Sequence, residues 1–150
     1  MYGFDTDTVY LCPAPLYHAA PLRFGSFVHA LGGTVVVMPS FDPVDALAAI
    51  ERHRVTHSQW VPTMFVRMLK LPGEQREAFD LSSHRVAIHA AAPCPVEVKQ
   101  RMIDWWGPIL LRTRETTVHL PQRPGQNEDG AAPRARELDD HRRYRLERRS

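Results

Sequence analysis

The chain has 150 residues, 43% apolar and 24% charged, with a net charge of +2. That is the length of one domain and the composition of a soluble globular protein. No stretch approaches the ~20 uncharged apolar residues of a membrane span, two cysteines exclude a disulfide scaffold, and so small a charge points away from nucleic acid.

In chain order, Thr8–Cys12 is a short apolar run stopped by Pro13 and reads as a buried strand. Residues 13 to 18 form a proline-held loop. Residues 21 to 31 read as a helix with Phe24, Phe27, Val28 and Leu31 on one face, ended by Gly32-Gly33. Thr34–Met38 is β-branched and apolar on both faces, as in a parallel sheet covered by helices. Asp42-Pro43-Val44-Asp45 starts the next helix: Asp42 caps, Pro43 suits the first helical position, and Asp45 favours the positive end of the dipole. It runs to about His53.

Thr56–Val61 is another strand, and residues 63 to 71 a short helix with Phe65, Met68 and Leu69 inward. Residues 72 to 80 are a mostly polar connection. Arg85–His89 is a strand, residues 90 to 94 the loop after it, and residues 95 to 106 a helix stopped by Gly107-Pro108. Strands and helices alternate, which predicts an α/β fold with a mostly parallel sheet. About four strands make that sheet incomplete, with an exposed edge through which copies would self-associate.

The composition changes near Leu111. Residues 112 to 150 carry 10 arginines, 7 acids and 8 apolar residues in 39, whereas Lys70 and Lys99 are the only lysines of the chain. The reading is therefore a folded unit over 1–111 and an arginine-rich, disordered tail over 112–150. A shift of reading frame in GC-rich DNA would give such a tail. Interleaved acids, with Tyr144 as the lone aromatic of the tail, argue against nucleic-acid binding. Met1 is followed by neither a basic start nor an apolar run, so no secretory leader is expected, and a cytoplasmic setting fits the unclustered cysteines.

Five segments occur in a telling order: Pro15-Leu16-Tyr17-His18-Ala19-Ala20-Pro21-Leu22, Phe41-Asp42-Pro43, Arg54-Val55-Thr56, Val61-Pro62-Thr63-Met64 and His89-Ala90-Ala91-Ala92-Pro93-Cys94-Pro95. With Glu97-Val98-Lys99 and Trp105-Trp106-Gly107-Pro108, this order resembles the adenylate-forming acid–CoA ligases, in their fatty-acyl-CoA synthetase branch. The likeness covers about residues 3 to 110, a middle slice of the large N-terminal AMP-binding domain. It implies activation of a carboxylic acid with ATP and Mg²⁺ to an acyl-adenylate, then thioester formation with CoA.

By that resemblance Ala90, Ala91, Ala92 and Pro93 match the Gly-Ala-Ala-Pro loop at the nucleotide, with Ala90 where many relatives have glycine. Tyr17 and His18 match the aromatic–histidine segment that gates the acyl pocket, and Trp60 and Met64 would line it. Each has a plainer reading from the residues alone. The alanine run is an ordinary βα loop, His18 a surface-loop histidine, and Trp60 with Val61 and Met64 a piece of core. No catalytic residue and no metal ligand is assigned. His53 and His57 fall on different elements, and Cys94 near His89 lacks an orienting acid and an oxyanion site.

The sequence contains no Ser/Thr/Gly-rich loop ending in Pro-Lys-Gly and no Tyr-Gly-x-Thr-Glu. The family's ribose-binding Asp, hinge and C-terminal catalytic Lys are likewise unmatched. The expectation is a fragment of a fatty-acyl-CoA synthetase, inactive alone and binding none of ATP, Mg²⁺ or CoA by itself. The alternative is a non-catalytic nucleotide-binding or interaction module with a basic tail.

Overall fold

The computed structural model describes residues 2–89 and 92–112. Ala90, Ala91 and the tail from residue 113 on lie outside the described residues, and with them the readings made there. Five strands, β1 (Val9–Cys12), β2 (Thr34–Val37), β3 (His57–Trp60), β4 (Val86–His89) and β5 (Leu110–Arg112), form one sheet in the order β2-β1-β3-β4-β5. Every pairing is parallel. The helices are α1 (Ala19–Ala30), α2 (Pro43–His53), α3 (Pro62–Leu69), α4 (Gly73–Glu77) and α5 (Val96–Trp106).

The sheet divides the hydrophobic interior in two. Leu11, Trp60, Ala87 and Leu110 face α2, α3 and α5, which contribute Leu47, Ile50, Phe65, Met68 and Met102 to the larger core. Tyr10 and Cys12 face the other way and pack with Val28 of α1, joined by Phe4, Phe24 and Val35. Alternation of side chains along β1 produces this division. Right-handed crossovers explain which helix takes which face, because β1 steps to β2 in one direction while every later step runs in the other.

The helix signals act as read. The Asp42 carboxylate accepts from the N–H groups of Val44 (2.8 Å) and Asp45 (3.1 Å), with Pro43 in the first turn. Gly107, at φ +81°, ends α5 and donates its N–H to Ile103 O at 2.8 Å. Gly33 is needed for another reason: a Cβ there would stand 2.8 Å from Val28 Cγ1 and 2.9 Å from Thr8 O.

Four details differ from the sequence reading. A fifth strand exists, since Leu110–Arg112 pairs with β4; it is three residues long and abuts the arginine-rich stretch, too short to register as a periodicity. β2 is an edge strand with no buried residue, although its composition suits the covered centre of a sheet. On α1, Val28 is buried and Phe24 half-buried, but Phe27 is 55% and Leu31 39% exposed, because the sheet meets only part of that apolar face. The polar connection after Leu71 contains α4, a five-residue helix with no buried residue. Among the described residues no helix is long and apolar enough to cross a membrane.

Candidate functional site at the carboxyl edge of the sheet

All five strands point the same way, so the segments after β1, β3 and β4 leave from one edge. The chain after β1 turns toward α1 on one face, and the chain after β3 turns toward α3 on the other. Neighbouring strands whose connections depart to opposite faces leave a crevice between them. In open α/β sheets this switch point, here between β1 and β3, is where ligands sit.

The loop after β1 carries Tyr17 and His18. His18 is the residue before the first turn of α1, held by its N–H to Pro15 O (3.1 Å) and by its carbonyl accepting from Leu22 N (3.1 Å). Its side chain makes no capping bond and is exposed. The Tyr17 ring, 82% exposed, lies 4.5 Å from the imidazole. The two rings thus stand as a pair at the rim.

Trp60 ends β3 and is wholly buried among Phe41, Phe65 and Trp106, while Met64, 8% exposed, packs in the same core. They lie in the interior beneath the edge. After β4, the described part of the alanine loop, Ala92 and Pro93, is exposed ahead of α5. The sheet thus brings Tyr17, His18, Ala92 and Pro93 to one edge, and keeps Trp60 and Met64 within the core.

β3 holds a network that the sequence reading did not single out. All four residues of this central strand, His57, Ser58, Gln59 and Trp60, are buried. Three polar side chains there need partners, since an unpaired buried polar group costs about 1–3 kcal/mol. Tyr10 donates its hydroxyl to Gln59 Oε1 (3.1 Å), and Trp60 Nε1 donates to Ser58 Oγ (2.5 Å). Ser58 Oγ also meets His84 Nε2 at 2.6 Å, and His57 Nε2 meets Tyr2 O at 3.0 Å. The readable signal was His-Ser-Gln inside an expected buried strand.

Burial governs the charge states. It pushes the Tyr10 phenol well up, and it pulls His84 down to about 3, with the charge of His57 adding to this. His89 is lowered first by burial, then by Lys99 and Arg112, the latter beside it in register on β5. Burial raises the Cys94 thiol, opposite to what a reactive thiolate needs. His53 is exposed on α2 while His57 is buried in β3, and among the described residues no three His, Cys, Asp or Glu side chains converge on a metal position.

With this geometry in view, comparison with known proteins is informative. The sequence matches the AMP-binding enzyme family over residues 1–133, beyond the limit near residue 110 read from the motifs. The chain belongs to that family of adenylate-forming enzymes. Its curated relatives are CoA ligases. It is 40% identical over 108 residues to a mitochondrial medium-chain acyl-CoA ligase from Danio rerio, covering 71% of this chain and 18% of that protein. It is 38% identical over 100 residues to a feruloyl-CoA synthase from an Amycolatopsis species, covering 66% of this chain and 20% of the relative.

Among solved structures, an amide bond synthetase from Marinactinospora thermotolerans superposes with a TM-score of 0.67 at 29% identity, covering 75% of this chain and 22% of that one. The chain thus spans about a fifth of the length of the relatives it matches.

Proposed function

We propose that residues 3–112 form the acyl- and nucleotide-facing edge of an ATP-dependent fatty-acyl-CoA synthetase, and that the 150 residues alone do not catalyse adenylation. The observation that carries this reading is the strand order. It gathers the Tyr17-His18 pair and the Ala92-Pro93 loop around the switch point between β1 and β3. The small, exposed Ala92 would let a flat base approach the backbone, and the exposed imidazole of His18, at the head of α1, would gate an acyl group. In this reading Trp60 and Met64 act from below, as the packed floor that holds the edge.

In such a ligase a carboxylate attacks the α-phosphorus of ATP, pyrophosphate leaves, and the CoA thiol then takes the acyl group as AMP departs. ATP supplies the adenylate, Mg²⁺ the charge neutralisation and CoA the thiol. The departing pyrophosphate needs strong electrostatic stabilisation. The described residues offer no donor cluster for the metal, and the sequence has no Pro-Lys-Gly loop. The proposal of a silent isolated chain rests on the missing Pro-Lys-Gly and Tyr-Gly-x-Thr-Glu segments, which would hold the phosphates and the metal.

A chimera tests the reading. Residues 3–112 would replace the matching segment of the Danio rerio medium-chain ligase. The chimera should keep ATP–pyrophosphate exchange with octanoate and lose at least about tenfold of it on His18→Ala. A folded but inactive chimera, or one that turns over ferulate and not octanoate, contradicts the proposal. For the tail after β5, whose start the composition put at residue 112, the proposal is translation out of frame. The family match to residue 133 runs into this segment and weighs against the proposal there; the test is whether another frame of the same DNA continues from Trp106-Gly107-Pro108 into a tyrosine-rich stretch and a Thr-Glu pair. If none does, the tail is genuine.

A further inference from the structure

α1 is an unusual surface helix. It has no acidic residue, and its outward side carries Leu22, Ser26, Phe27 and Ala30 beside the basic Arg23 and His29, continuing to Leu31 at its end. Leu22 and Phe27 are more than half exposed. A solvated helix face would carry charged and polar side chains. Beside α1, the segment Tyr2–Phe4 forms the second wall of a cleft of about 710 Å³. Phe24, Phe27 and Leu31 line it with Tyr2 and Phe4, and Arg23 is its single charge. The Tyr2 and Phe24 rings meet edge-on at 5.5 Å, so these walls are packed aromatics.

The charges nearby are arranged by the fold. Arg23 lies in the N-terminal half of α1, and among the described residues it makes no ion pair. The acidic turn Asp5-Thr6-Asp7 abuts the other end of the helix: Thr6 Cγ2 would lie 3.8 Å from a Cβ on Gly32, and Asp5 O 3.2 Å from one on Gly33. Asp7 is exposed. About 12 Å of helix separates Arg23 from Leu31.

The geometry points to a second copy of this chain as the occupant of the cleft, with the two α1 helices antiparallel about a twofold axis near Phe27. Such an axis sets Arg23 of one copy at the level of the partner's Leu31, beside the partner's Asp7, and repeats the contact on the other side. Phe27 and Leu31 of each copy enter the cleft of the other. Antiparallel helices also align their dipoles favourably, and a self-complementary patch is what a twofold interface requires. The self-association expected at the sheet edge is thereby assigned to the α1 face that flanks the edge strand β2.

Sedimentation velocity of the full 150-residue chain between 1 and 100 μM tests this. A monomer–dimer equilibrium is expected, and Phe27→Glu should weaken it at least thirtyfold, as loss of a central anchor does. Circular dichroism checks that this exposed substitution leaves the fold intact. Arg23→Asp and Asp7→Arg should each weaken the dimer, and an equimolar mixture of the two should restore it, because every cross-contact then pairs opposite charges. A chain that stays monomeric at 100 μM overturns the proposal, whether or not its cleft takes up dodecanoate. So does a dimer indifferent to Phe27→Glu, or one that mixing fails to rescue.

Discussion

Three histidines, His57, His84 and His89, are buried where a proton is costly. In the unfolded chain each takes up a proton near pH 6.5. In the fold burial lowers all three, His84 to about 3. The unfolded state therefore binds more protons below pH 6.5. The stability these neutral rings confer is complete above that pH and drains away as pH falls, for His84 down to about pH 3. One such group contributes a slope of about 1.4 kcal/mol per pH unit. Urea melts between pH 6 and 4 should show stability falling steeply for the wild-type chain, and His84→Gln should remove about one proton's worth of that slope. An unchanged slope would mean that His84 is protonated in the fold. The surface pair Arg54–Asp80, 2.7 Å apart but with both side chains more than half exposed, contributes little by comparison.

At the scale of elements, the cap and the tight glycine carry measurable weight. Asp42→Ala removes both bonds to the first turn of α2 and should cost about 1 kcal/mol by urea denaturation. Gly33→Ala forces a methyl against the Thr8 carbonyl and Val28, and a thermal melt should report a loss of about 1–3 kcal/mol. A melt unchanged by Gly33→Ala would show that the turn before β1 yields freely. The cap was legible from Asp-Pro because it is local; Gly-Gly announced only the end of α1, and the close approach of Gly33 to Thr8 is set by the fold. What was not legible was set by neighbours. Val35, Val36 and Val37 look like central-strand residues, and nothing in them says that β2 is the edge of the sheet among the described residues. Phe27 has the spacing of a core residue on α1, yet only the sheet decides which part of a helix face it covers. Leu110-Leu111 had too few residues to announce a strand before the composition changed. In the candidate site, the loop residues Tyr17, His18, Ala92 and Pro93 were readable as motifs, and the plainer reading of Trp60 and Met64 as core agrees with their burial. The Ser58–His84 contact joins residues 26 apart in sequence, and only the folded sheet brings them together.

At the scale of the whole molecule, the fold assembles the carboxyl edge of an AMP-binding enzyme domain in a chain that covers about a fifth of its relatives' length. Under the proposal this edge would face a base and an acyl group, whereas a leaving pyrophosphate needs strong electrostatic stabilisation from other groups. The most direct test is ATP–pyrophosphate exchange by the purified 150-residue chain with octanoate and Mg²⁺, set beside an intact CoA ligase. No exchange above the enzyme-free background is expected. Exchange that copurifies with the chain and disappears in the His18→Ala variant would contradict the proposal.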